Sequence, residues 1–288
     1  MITPQLGALK DPIDERDYPI KAFLRPKVAA VPTSVDVSGT MPPVRDQGTE
    51  GSCVSFATTA AKEYDEGMFA TYLSPRFIAD RIQLDADSGA YPRDAMDVLL
   101  HEGVCPEECQ PYIARVHSLG CLKASELASS NRIRAYARLN TLDEMKQYLN
   151  ERGAFVASFR VTQNWFSPVQ GLVVPQGAII GGHAVCVVGY DDTKQVIKFR
   201  NSWGNGWGAN GYGYLPYISV GQYLMDAWSM VDIPEEAEYP PSPRPVPPQP
   251  EPEPTPIPPE PEPIPVPPIK KNWIQVLIEF LLNLFKRK

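Results

Sequence analysis

From Pro234 to Pro268 the chain is dominated by prolines alternating with Glu, Val, Ile and Gln. Proline fixes φ and has no backbone N–H, so such a run can enter neither a sheet nor a helix interior. It reads as an extended polyproline-type spacer, reaching on the order of 100 Å at about 3.1 Å per residue, or as a ligand for an SH3-type module. A packed core is therefore confined to the residues before it, and the compact domain is expected to end near Ile233. Within those residues the apolar pattern changes character. The first half carries helical spacing, and the second gathers short β-branched runs between Gly- and Asp-containing turns. The expected class is α+β with two lobes, and a cleft between lobes is a usual place for a ligand site.

Local signals place the elements. Val35-Asp36-Val37 reads as a short strand. Val54, Ala57, Ala60, Ala61 and Tyr64 fall at helical spacing from Cys53 to Glu66, with Gly67 as a stop. Ser74-Pro75 opens a second helix, and the loop Ser88–Tyr91 leads into a third that Gly103 ends. Thr141 and Glu144 form a capping pattern for a helix through Met145, Tyr148 and Leu149, closed by Gly153. Strands are expected at 155–159, 184–190, 196–200 and 212–215, with a loop from Trp165 to Pro168.

The chemistry begins at Cys53, where a polar, glycine-containing loop becomes a helix. N–H groups at a helix start stabilise an anion and lower a thiol pKa. A lone cysteine is more often a small buried hydrophobe, so partners decide the matter. Gly181-Gly182-His183-Ala184 puts a histidine at the head of an apolar run, and Asn201-Ser202-Trp203-Gly204 follows a short strand. Gln47 lies six residues before the cysteine.

Taken in order, Gln47, Gly51-Ser52-Cys53, Gly182-His183-Ala184 and Asn201-Ser202-Trp203-Gly204 resemble the papain-like (C1) cysteine peptidases. Both separations fall in the range of roughly 130–150 residues expected of that group. The lead-in Leu6–Tyr18 resembles that of prokaryotic members. The resemblance implies a papain-like two-lobe fold: a helical lobe and a β-barrel-like lobe, with the active site in the cleft between them. It implies Cys53 as nucleophile, His183 as its acid–base partner and Asn201 as the group that orients the imidazole, shielded by Trp203. Gln47 and the Cys53 backbone N–H would form the oxyanion hole. Gly89 and Ala90 would hydrogen-bond the substrate backbone, Tyr91 and Pro92 would wall the pocket for the residue second from the scissile bond, and Gly182 and Ala184 would also line the substrate site. No cofactor and no metal are called for. The sequence departs from relatives at Val54, where many carry an aromatic, at Gly182, where Asp or Asn is frequent, and at Glu50, where secreted members carry a half-cystine.

Net charge is −7 with a pI near 5.1, which disfavours a nucleic-acid partner. The partner implied is a peptide or protein substrate. Met1–Gly7 has neither a basic nor an apolar run, so no secretory signal is read and a cytoplasmic location is expected. Free thiols are then the default. Cys105, Cys109 and Cys121, with His101 and His117 between them, match no standard zinc spacing. A disulfide from Cys121 to Cys105 or Cys109 is the alternative to unpaired thiols, and Cys186 reads as core.

Four segments result: a lead-in at 1–43, a peptidase domain at 44–233, the spacer at 234–268 and a basic-flanked helix at 269–288. The lead-in is either the start of the mature domain, which is favoured, or a short propeptide crossing the cleft. Gln275, Glu279 and Asn283 form a narrow polar stripe on an otherwise apolar run, so the tail suits either a membrane surface or a protein partner. Rival functions are a catalytically silent binding module tethered by the tail, a structural protein, and a transpeptidase.

Overall fold

The computed structural model describes residues 4–24, 31–83 and 85–231. The expected spacer at 234–268 and helix at 269–288 lie outside them. Six α-helices are described: α1 (Cys53–Asp65), α2 (Pro75–Ile82), α3 (Pro92–His101), α4 (Ala124–Ser129), α5 (Leu142–Glu151) and α6 (Tyr217–Tyr223). Seven strands accompany them: β1 (Ser34–Asp36), β2 (Ala135–Arg138), β3 (Phe155–Thr162), β4 (Ile179–Asp191), β5 (Val196–Arg200), β6 (Tyr212–Pro216) and β7 (Leu224–Val231). They form one antiparallel sheet in the order β2-β7-β3-β4-β5-β6, with β1 paired to β4.

Strand β4 shows how one sheet serves two cores. Ala184, Cys186 and Val188 belong to the cluster shared with α1, α2 and α3, whereas Val185 and Val187 belong to the cluster on the opposite side. The period-two alternation of a strand is the cause. Helix α1 is buried from Cys53 through Glu63, and its run of Ser, Ala and Thr lets neighbouring elements approach closely. Its two buried charges are paired: Lys62 with Asp65 and Glu66, and Glu63 with Arg45. On the other side Met145, Tyr148 and Leu149 of α5 pack with Phe155, Phe159, Trp165 and Phe199. Thr141 and Glu144 do form the reciprocal capping box of α5.

Several expectations are corrected. β4 starts at Ile179 rather than 184, and Gln163–Phe166 is a 3₁₀ turn rather than a loop. β2, β7, α4 and α6 had no assignment. The favoured unpaired state of the three neighbouring cysteines gives way to a Cys109–Cys121 disulfide. The Cys121 N–H donates to the Cys109 carbonyl at 2.7 Å, which brings their Cα atoms to 5.0 Å, within bonding reach. Cys105 and Cys186 are buried free thiols, the latter pushed up to about 12 by burial and so inert.

Candidate active site

Cys53 opens α1, and its side chain is fully buried. The Ala184 backbone N–H points to its Sγ at 3.5 Å, which joins the helical side of the molecule to β4. His183 lies on β4 opposite Phe159 of β3. Its Nε2 is 2.7 Å from Asn201 Oδ1. The same oxygen accepts the Ser202 N–H at 2.8 Å, and the Asn201 N–H donates to the Gly211 carbonyl. Asn201 is thus pinned at both ends, and an oxygen facing Nε2 requires the proton there. Nδ1 has no partner among the described residues, so it is the nitrogen left for proton exchange with a thiol. The Trp203 ring lies 4.4 Å from the imidazole and stacks on Phe166 at 5.3 Å, while Trp165 meets the imidazole edge-on. These rings keep water from the His183–Asn201 hydrogen bond.

Gln47 is held from several sides. Its Oε1 accepts from Ser202 Oγ at 2.6 Å, and its N–H donates to the Ser202 carbonyl at 2.8 Å. That leaves Nε2 to donate to the Glu50 carbonyl at 2.8 Å and to the Gln5 carbonyl at 3.0 Å. An amide fixed in this way presents a donor to a peptide oxygen, the geometry an oxyanion hole needs.

The peptide it meets belongs to the chain's own N-terminal segment. Residues 5–9 run along the site as a strap. Ala8 N–H donates to the Gly182 carbonyl at 3.0 Å, and Gly7 O and Leu9 N pair with both backbone groups of Ala90 at 2.8 and 2.9 Å, while the Gly7 N–H pulls the Cys53 thiol pKa down. Ala8 pairs with Ala90 in the parallel sense. A side chain at Gly7 would strike the Gly51 carbonyl, and one at Gly89 would crowd Gly7 O at 2.6 Å. A cavity of about 620 Å³ remains beside the strap, lined by Leu6, Ser88, Gln163, Phe166 and Ile180 among others. Beyond Leu9 the strap is anchored at Asp11. Its carboxylate accepts from the Trp228 indole at 2.7 Å and from the Arg93 N–H, and its own N–H donates to Asp226 at 2.9 Å.

Burial sets the charge states. It pushes the Cys53 thiol up to about 11, against the pull of the Ala184, Gly7 and helix-start N–H groups. It takes His183 down to about 4, against the Asn201 hydrogen bond. Under the strap both groups are neutral at ordinary pH.

Of the residues expected from sequence, the structure brings Gln47, Cys53, Gly89, Ala90, Gly182, His183, Ala184, Asn201 and Trp203 together. Tyr91 caps α3 and Pro92 starts it. Sequence reasoning assigned no role to Ser202, Trp165 and Phe166 around His183 and Asn201, or to Glu50, Ser52 and Tyr112 behind the loop. Signals existed for Ser202, between Asn201 and Trp203, for Ser52, within Gly51-Ser52-Cys53, and for Glu50, as a departure from relatives.

The family description "Papain family cysteine protease" matches residues 31–227. Among solved structures, xylellain, a cysteine protease from Xylella fastidiosa, superposes with a TM-score of 0.70 at 31% identity, covering 80% of this chain and 96% of that one. An uncharacterized peptidase C1-like protein of Acanthamoeba polyphaga mimivirus is 28% identical over 81% of this chain and 88% of its own. Fruit bromelain of Ananas comosus is 28% identical over 70% of this chain and 59% of its own.

Proposed function

The chain belongs to the papain family of cysteine proteases, and from that premise we propose that it hydrolyses peptide bonds through Cys53, His183 and Asn201 and that residues 5–9 hold it latent. The observation that carries the reading is the His183–Asn201 pair at 2.7 Å, with Ala184, the residue after His183 on β4, donating to Cys53 Sγ. With the strap away, proton transfer from Cys53 to His183 Nδ1 gives a thiolate–imidazolium pair. The thiolate attacks the peptide carbonyl, whose oxygen takes charge beside Gln47 Nε2 and the Cys53 N–H. His183 returns its proton to the leaving amine, and water hydrolyses the thioester. An amine in place of water would make the same acyl-enzyme a transpeptidase.

The strap supports the short-propeptide reading of the lead-in rather than the favoured one. By the resemblance, substrate approaches Cys53 from the side of Tyr91 and Pro92. The strap runs the other way, from Gln47 at Gln5 toward Ala90 at Leu9. Other parts of the lead-in are woven into the domain, since β1 pairs with β4.

The test is labelling of a chain beginning at Lys10 by a thiol-reactive epoxide, read by mass spectrometry beside its Cys53→Ala version and with cleavage of a peptide library. Modification confined to Cys53, and cleavage absent from the variant, are expected. Labelling spread over Cys105 and Cys186 with no cleavage would favour the silent binding module.

Asp11 makes the latent state pH-dependent. Burial, with Asp226 alongside, raises its carboxyl to about 6, against the Trp228 indole and Arg93. A raised carboxyl favours the docked, protonated form, so docking is tightest below the free value near 3.8 and weakens as pH rises through about 6. Asp11→Asn cannot ionise and should stay docked. The variant-to-wild-type ratio of Cys53 alkylation rates is expected near one only below about pH 3.8, to be several-fold lower by about pH 4.5, and to level off above about pH 6 at a value lower by up to on the order of 10²-fold. A ratio independent of pH would remove Asp11 from the latch.

A further inference from the structure

Glu50 occupies the position where secreted relatives carry a half-cystine, and what it does there is legible in its partners. Its carboxylate is 2% exposed and binds Arg76, 1% exposed, through both terminal guanidinium nitrogens at 3.0 and 2.5 Å. The Arg115 N–H adds a third donor at 2.6 Å. The guanidinium lies 4.7 Å from the centre of the Tyr112 ring, and Phe56 of α1 meets that ring edge-on at 4.6 Å. Tyr112 is thereby held with its hydroxyl against the loop before Cys53. The phenol oxygen is 2.9 Å from the Gln47 carbonyl and 2.6 Å from Ser52 Oγ. The Glu50 carboxylate is a further acceptor, but at 3.3 Å it stands farther from the phenol than the Gln47 carbonyl at 2.9 Å, so the shorter set is Ser52 donating to Tyr112 and Tyr112 donating to Gln47. Ser52 stands at the N-cap of α1, yet its side chain makes no cap bond. Its hydroxyl is committed to Tyr112 instead.

We propose that Tyr112, seated on the buried Glu50–Arg76 pair, is a positioning residue for the oxyanion hole, its hydroxyl clamping both ends of the Gln47–Ser52 loop. Ser202 fixes which way the Gln47 amide faces, and Tyr112 fixes where the Gln47 backbone stands. Together they aim Nε2 at the carbonyl oxygen. A donor aimed at a developing charge acts only while its position is held, and a misplacement of about 1 Å costs on the order of 10²-fold. The buried ion pair serves here to set register, which is the best-supported use of such pairs.

The proposal rests on the peptidase reading, and its test separates the two. Two rates are measured on the full-length chain: acylation of Cys53 by an activated p-nitrophenyl ester, and its alkylation by iodoacetamide. Acylation builds an oxyanion. Alkylation is displacement at a saturated carbon and builds none. The strap limits access in both, so their ratio isolates the hole. Tyr112→Phe is expected to lower acylation about tenfold, the worth of one hydrogen bond, and to leave alkylation within about twofold. Ser52→Ala should lower the ratio about threefold. In a Gln47→Ala background Tyr112→Phe should have no further effect on the ratio, because it acts through Gln47. Equal losses in both rates, no loss in either, or full additivity with Gln47→Ala would overturn the proposal. A wild-type chain whose Cys53 alkylates but never acylates would instead overturn the peptidase reading.

Discussion

A chain beginning at Lys10 is expected to cleave peptides roughly 10³-fold faster than the full-length chain, as a ratio of kcat/KM on one fluorogenic substrate. The strap makes four hydrogen bonds to groups the substrate needs: Gln47 Nε2, the Gly182 carbonyl, and the N–H and carbonyl of Ala90. At about 0.5–1.5 kcal/mol each, their sum is roughly 2–6 kcal/mol, which brackets that factor. The strap is part of the same molecule, so docking carries no association entropy and substrate competes at a disadvantage. Starting at Lys10 keeps Asp11 on Trp228 and Asp226, and so leaves the anchor filled. Removal of the strap also rehydrates the site, letting Cys53 and His183 move from the neutral pair toward the ion pair, and alkylation of Cys53 should quicken in parallel. Gly7→Val is the independent check. Its side chain would meet the Gly51 carbonyl, a backbone atom that cannot step aside, so the intact chain should gain activity through a single substitution. Equal rates for the full and shortened chains would mean that the strap leaves the cleft unaided.

The strap shows where sequence reading stops. Gln5-Leu6-Gly7-Ala8-Leu9 has no periodicity and no charge pattern. Its place is set by residues far along the chain, namely the bare backbone of Gly51 and Gly89, the carbonyl of Gly182 and both polar groups of Ala90. Cys53, His183 and Asn201 were legible for the opposite reason. Cys53 opens α1 and Asn201 directly follows β5, while His183 lies inside β4; the flanking Gly, Ser and Trp residues mark all three in the sequence itself. The capping box at Thr141 was legible because both of its halves lie within four residues. β2 and β7 were not, since Ala135–Arg138 is only four residues long and Asp226 and Ser229 interrupt the apolar run of β7. Asp226 is tolerated inside because Arg138 and the Asp11 N–H reach it, a compensation that spans more than two hundred residues. Tyr112 was unremarked and Glu50 was noted only as a departure from a half-cystine, for the same reason: their roles exist only as a pair of loops brought face to face.

His183→Ala is expected to lower kcat/KM by roughly 10⁴-fold, whereas Asn201→Ala should lower it by only about 10- to 100-fold. The asymmetry follows from what each side chain touches. His183 Nδ1 is the acceptor left for the thiol proton and the donor left for the leaving amine, so its loss removes both the activated nucleophile and the general acid. Asn201 reaches the reacting atoms only through Nε2. Its side chain fixes the tautomer and the ring plane, but Trp203 at 4.4 Å and Trp165 at 6.2 Å confine the imidazole independently. With Asn201 shortened, the ring keeps its cage and loses one hydrogen bond, and that bond favours the charged imidazole. The pH profile is therefore the sharper readout. Without the Asn201 hydrogen bond, which raises the His183 pKa against burial, imidazolium is less stable. The alkaline limb of kcat/KM should then move to lower pH, and at its optimum the variant should recover part of the loss measured at neutrality. The two variants are compared in the chain beginning at Lys10, so that occlusion does not mask the difference. An Asn201→Ala loss as deep as that of His183→Ala, with an unshifted profile, would mean that the asparagine holds the site together rather than tuning the histidine.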